Sequence, residues 1–290
     1  MTVRTLAVAA LIAATAGPAL AAAPTSTAYH LYIPGRHPVA AGSPGAKTML
    51  YYAGPVIAKV KIVSVMWGGA VNATTKAKVG AFLKAIVNST FLDQLKQYST
   101  NIVGVNGMQG TNQTIVRGSY AGQVVITPSN TSKTLTDAQV QTELLAQIAA
   151  GHLPAANLNT LYMIYFPSSI TINLGGSLSC QAFGAYHSAT SASVTPSNVF
   201  YGVMPDCGGG FNTTTLVTSH EFAEAVSDAI PTPGTNPAFP QAWNTSNGYE
   251  IGDLCQGTSS TLTTTKRSYV VQEIFTNSTN ACATGKFTSP

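Results

Sequence analysis

The chain has 290 residues, of which 45% are hydrophobic and 8% charged, and its formal net charge is +4. That hydrophobic share supports a packed core and excludes a disordered chain. The small charge excludes a nucleic-acid or membrane-surface binder that works by bulk electrostatics.

Residues 1–21 read as a secretory signal peptide. Arg4 precedes an apolar run over 6–16, Gly17 and Pro18 break it, and Ala19-Leu20-Ala21 offers a small-residue site after which cleavage is expected. The run is short for a membrane span and no later segment reads as transmembrane. The mature protein is therefore expected to be secreted, extracellular or cell-wall associated, with no membrane and no nucleic-acid partner. Residues 22–47, rich in Pro, Gly and Ala, read as an extended N-terminal arm, and 48–290 as a single domain.

Within that domain, residues 60–67 predict a mostly buried strand. Residues 74–98 show helical spacing at Val79, Phe82, Leu83 and Ile86 and again at Leu92 and Leu95, with an interruption at Asn88-Ser89-Thr90. One or two short strands are predicted over 114–127, around Gly118. The Thr136-Asp137-Ala138-Gln139 capping box opens a helix through Leu144, Leu145 and Ile148. Strands follow at 161–166, 181–188 and 199–204. The Cys207-Gly208-Gly209-Gly210-Phe211 turn then feeds a helix over 213–229, and a loop-rich remainder ends in a strand at 269–275. No internal repeat is visible. This order predicts an α/β or α+β fold with a mixed β-sheet and one long helix, zincin-like in plan.

Four cysteines suit an exported chain, because an even count can pair completely under oxidising conditions. Cys180 pairing with Cys207, and Cys255 with Cys282, is the expected sequential arrangement among three possible connectivities. None stands in a C-x-x-C spacing, which argues against a thiolate metal site.

Charge is distributed unevenly. Residues 134–265 contain no Lys or Arg but hold Asp137, Glu143, Asp206, Glu221, Glu224, Asp228, Glu250 and Asp253. Burying part of that set requires solvation, protonation, or neutralisation by something other than a side chain, and a bound metal is one such agent.

The helix over 213–229 carries Ser219-His220-Glu221-Phe222-Ala223-Glu224, the start of a zinc-protease H-E-x-x-H motif with Glu in place of the second His. His220 and Glu224 lie one helical turn apart on one face, and Asp228 continues the row. Zinc accepts carboxylate oxygen as well as imidazole, although an anionic ligand weakens its Lewis acidity. Glu221 is the candidate catalytic base, placed to take a proton from the attacking water. The third ligand is sought in Glu250, then Asp253, then His187, with Asp228 as an alternative ligand or as a residue orienting His220. Zinc is the expected ion. Calcium, as a purely structural ion, fits the oxygen-rich set but not His220. The competing reading is a plain helix whose His and Glu residues form a solvated face.

Other chemistries fit worse. Glu221 and Glu224 sit on one helix and cannot flank a sugar from opposite sides as glycosidase carboxyls must. Ser219, His220 and Asp228 cannot form a triad, no G-x-S-x-G elbow exists, and the glycine-rich turn lacks the Lys of a phosphate loop.

The segments MLYYAGPVI, VKIVSVMWGG, AYHSA, SHEFAEAVSD, EIGDLC and QEIFTNSTNAC, in that order, resemble bacterial members of the phosphate-induced, EXORDIUM-like secreted protein family, over about Met49 to Cys282. The resemblance implies a secreted single domain, and in plants the family is associated with the cell wall and growth responses. The bacterial branch carries the His-Glu helix, which is changed in the plant branch. Two functions follow as expectations. The first is a secreted zinc-dependent hydrolase, metallopeptidase-like, acting on a peptide or protein. The alternative is a non-catalytic extracellular protein that binds wall polysaccharide or a protein partner.

Overall fold

The computed structural model describes residues 48–234 and 236–290. The expected signal peptide and N-terminal arm lie outside the described residues.

The centre is a five-stranded sheet. Its strands, in chain order, are β1 (Lys61–Trp67), β2 (Ser119–Ile126), β3 (Thr160–Tyr165), β4 (Tyr186–Ala189) and β5 (Phe200–Met204). They stand in the order β2-β1-β3-β5-β4; all neighbouring pairs are parallel except β5 with β4, which is antiparallel. The inner strands read as near-continuous apolar runs because both of their faces are covered.

Side-chain alternation sorts these strands between two cores. Val63, Val65, Tyr162, Ile164, Tyr201 and Val203 face helix α3 (Asp137–Ala149), packing with Val140 and Leu144. Ile62, Met66, Leu161, Met163, Phe200 and Met204 face the other way, onto helices α1 (Ala73–Ile86), α2 (Thr90–Leu95) and α4 (Gly210–Ser227). The sheet sandwiched between helices makes one mixed α/β unit with four α-helices among the described residues.

A second sheet closes the far side of α4. It holds β6 (Ser259–Thr263), β7 (Ser268–Gln272) and β8 (Lys286–Thr288) in the order β7-β6-β8. The sequence predicts loop for most of this region; in β6 only Leu262 is buried, so Ser and Thr dominate a strand with almost no apolar signal. The strand expected at 181–188 is shorter, beginning at Tyr186, and the one expected at 269–275 ends at Gln272. The short strands at Leu50–Tyr51 and Trp243–Asn244 pair with each other. Both disulfides are present in the sequential arrangement, Cys180–Cys207 and Cys255–Cys282, as suits a secreted protein. Among the described residues no helix is long and apolar enough to cross a membrane.

Candidate metal centre

Helix α4 is inserted between the two sheets. It starts after Gly209, whose φ of 76° is a conformation that favours glycine, and Gly208 and Gly210 share it. Thr215 Oγ1 donates to the Val270 carbonyl at 2.6 Å, and the Gln272 amide donates to Ser219 Oγ at 2.8 Å, fixing α4 to β7. On the opposite side Phe222, Ala225 and Val226 pack into the core beside α1 and α2. From Val217 to Ser227 every residue is buried, so the solvated-face reading of this helix is wrong.

Three elements bring ionisable groups together here. Helix α4 contributes His220, Glu221 and Glu224, each 0% exposed. Strand β4 contributes His187, which alternation places on the α4 side, between Ala185 and Ala189. The loop at 250–255 contributes Glu250 and Asp253 and is held by the Cys255–Cys282 disulfide.

The ligand atoms form two overlapping groups, His220, Glu224 and Asp253 in one and His187, Glu221 and Glu224 in the other, each with its atoms within 4.8 Å of one another. In the first, His220 Nε2 lies 3.1 Å from Glu224 Oε2 and 3.9 Å from Asp253 Oδ1. In the second, His187 Nδ1 lies 3.4 Å from Glu221 Oε2 and 3.9 Å from Glu224 Oε2. Metal–ligand bonds of about 2.0–2.1 Å set neighbouring ligand atoms of a tetrahedral site about 3.3–3.4 Å apart, so both groups need little closure to hold an ion.

The loop is built to come close. The Asp253 amide donates to Glu224 Oε1 at 3.1 Å, the Glu250 amide to Asp253 Oδ2 at 3.1 Å, and Gln272 Nε2 to the Gly252 carbonyl at 2.6 Å. A Cβ on Gly252 would lie 2.6 Å from His220 Nδ1 and 2.8 Å from Glu224 Oε1. Any side chain there would force His220 and Glu224 to shift.

Burial and like charge dominate the electrostatics. Burial, with Glu224 and Asp253 nearby, pushes the Glu221 carboxyl well above the usual carboxylate range. Burial does the same to Glu250, reinforced by Glu224, Asp228, Asp253 and Glu221. For His220 burial opposes the charged form, but Glu224, Glu221 and Asp253 outweigh it and the imidazolium is pushed up to about 10. Glu221 Oε1 is buried with no hydrogen-bond partner. A carboxylate oxygen in that position costs free energy unless a cation or proton meets it. The donor set of imidazole and carboxylate suits a divalent ion, and the buried His/Glu/Asp group could hold one.

Of the third-ligand candidates, Asp253 joins His220 and Glu224, while His187 joins Glu221 and Glu224. Glu250 reaches His187 Nε2 at 3.5 Å. Asp228 is directed elsewhere: its carboxylate accepts from the Ala242 amide at 2.8 Å and from Asn244 Nδ2 at 2.5 Å, and its carbonyl oxygen lies 3.2 Å from His187 Nε2. Gly252 and Gln272 are not found from the sequence, which holds no signal for Gln272 beyond its place at the end of a strand. For Gly252 the only hint is its position between two acids, Glu250 and Asp253. Compared with known protein families, curated proteins and solved structures, the chain matches none.

Proposed function

We propose that the protein is a secreted, zinc-dependent hydrolase of the metallopeptidase kind, a zincin-like relative of the bacterial EXORDIUM-like proteins. The observation that carries the reading is the buried group of His220, Glu224 and Asp253, with Glu221 beside it on the same helix. The mixed sheet packed on that long helix agrees with the zincin-like plan. His220, Glu224 and Asp253 would hold the ion, and the two nearby imidazoles favour zinc over calcium.

A bound zinc ion supplies Lewis acidity toward a carbonyl oxygen and lowers the pKa of water. Glu221 acts as general base: Oε1 takes the proton of the attacking water, and the same carboxyl returns it to the leaving amine. His187 Nδ1 stands 3.4 Å from the other oxygen, Oε2. Burial raises the basicity of Glu221, which favours the first transfer. Asp253 is the partly exposed member of the group, at 12% of its side chain.

The burial of the other side chains favours a second reading, an ion that stabilises a non-catalytic extracellular or cell-wall binding protein. Elemental mass spectrometry and a peptide-library cleavage assay separate the two. After dialysis against metal-free buffer we expect about one zinc per chain, absent from His220→Ala. Glu221→Gln should keep the zinc and the circular dichroism of the parent and lose about 10²- to 10⁴-fold in cleavage rate. Zinc without cleavage in the parent favours the second reading, and absence of any bound metal removes the hydrolase and leaves a non-catalytic binding protein without an ion.

A further inference from the structure

The two ligand groups share Glu224 but end on different histidines. The first group closes on His220 and Asp253, the second on His187 and Glu221. His187 is buried, at 1% exposure, and its two nitrogens have different surroundings. Nε2 lies 3.2 Å from the Asp228 carbonyl oxygen, which can only accept from it, and 3.5 Å from Glu250 Oε1. That assigns the ring proton to Nε2. Nδ1 is then left with its lone pair facing Glu221 Oε2 at 3.4 Å and Glu224 Oε2 at 3.9 Å.

An imidazole lone pair and two carboxylate oxygens repel one another unless something positive lies between them. An N–H bonded to a carbonyl on one side of the ring, with the other nitrogen turned to carboxylates, is the arrangement of a metal-ligating histidine. The 3.4 Å separation of Nδ1 from Glu221 Oε2 matches a tetrahedral edge of about 3.3–3.4 Å. The second oxygen of Glu221, Oε1, is buried with no hydrogen-bond partner, an independent sign that this end of the cluster awaits a cation.

We propose that His187, Glu221 and Glu224 form a second divalent-cation site, weaker than the first, and that filling it inhibits the enzyme. The inference rests on the one-ion reading above. A cation seated on Glu221 removes the general base, and the shared Glu224 divides its charge between two ions, so the second binds only when free metal is abundant. The site is thus a brake that reads the zinc concentration outside the cell.

The test titrates the dialysed, full-length mature protein with zinc chloride, measuring bound metal by equilibrium dialysis with elemental analysis and peptide cleavage in parallel. The expected result is a rise from one to two ions per chain, with activity lost about tenfold or more as the second enters. His187→Gln and Glu221→Gln should each stop at one ion, and the residual activity of His187→Gln should no longer fall at high zinc. Should one variant fail to fold, the other decides. Saturation of the parent at one ion overturns the proposal and leaves the one-ion reading standing. Two ions in both variants place the second cation elsewhere and also overturn it. A parent that takes no zinc at any concentration overturns the one-ion reading and this one with it.

Discussion

At Gly252 a single methyl group decides whether the loop can close on α4. The backbone there has φ −78° and ψ −39°, a conformation alanine adopts freely, so no backbone strain would accompany a substitution. The cost of Gly252→Ala is therefore purely steric: its Cβ would stand 2.6 Å from His220 Nδ1 and 2.8 Å from Glu224 Oε1. We predict that Gly252→Ala loses most bound zinc and destabilises the protein by about 1–3 kcal/mol, as overpacking does. Metal content and the urea midpoint check this; a variant with full zinc would show that the loop does not close on the metal group. The acids on either side of Gly252 were visible in the sequence as ligand candidates, whereas the clearance that requires a glycine between them is a distance to a helix far away along the chain. His187 shows the same limit. Its residue type and strand were readable, but its neighbour Glu221 belongs to another element, and only packing brings the two to 3.4 Å.

The helices differ in how much of their placement local chemistry explains. Helix α3 is set by its first turn: Thr136 Oγ1 accepts from the Gln139 amide, and Gln139 Oε1 accepts from the Thr136 amide at 2.8 Å. Asp137 follows at the positive end of the helix dipole and accepts from the Tyr186 and Tyr201 hydroxyls at 2.6 and 2.8 Å, tying the helix to the sheet. The capping box was legible because it is a pattern within four residues. The tyrosine contacts were not, since they are 49 and 64 residues away. Thr136→Ala should cost about 1 kcal/mol, or about 2–4 °C in Tm, measured by thermal unfolding. No change would mean that the tyrosines alone position α3. Helix α4 was legible in existence and motif but not in environment. The competing reading gives its His and Glu residues a solvated face, whereas β7, β4 and the loop at 250–255, brought against the helix from elsewhere in the chain, help to bury it.

For the molecule as a whole, the absence of Lys and Arg over 134–265 makes the stability of the metal-free form depend on protons. The groups facing one another are His187 from β4; His220, Glu221, Glu224 and Asp228 from α4 and its C-terminal end; and Glu250 and Asp253 from the loop. Glu221 and Glu250 have folded-state pKa values raised, by burial first, above the unfolded value of about 4.3. Their contribution to stability is fully present below that value and is lost as pH rises through the folded values. His220, raised to about 10 because its acidic neighbours outweigh burial, contributes fully below its unfolded value of about 6.5 and loses that contribution as pH rises through about 10. All three act in one direction, so the chelated protein should become less stable as pH rises from 5 to 8. On the proposed function zinc should reverse the trend, because it would replace protons on these groups, and each proton released adds about 1.4 kcal/mol of binding per pH unit. The gap in Tm between zinc-loaded and chelated protein should therefore widen over that range, by about 2–4 °C for each kcal/mol. Differential scanning calorimetry at pH 5, 6.5 and 8, with and without a chelator, measures it directly. A gap that stays constant or narrows would mean that any bound ion does not compete with protons for this cluster, and the centre would have to be sought elsewhere in the chain.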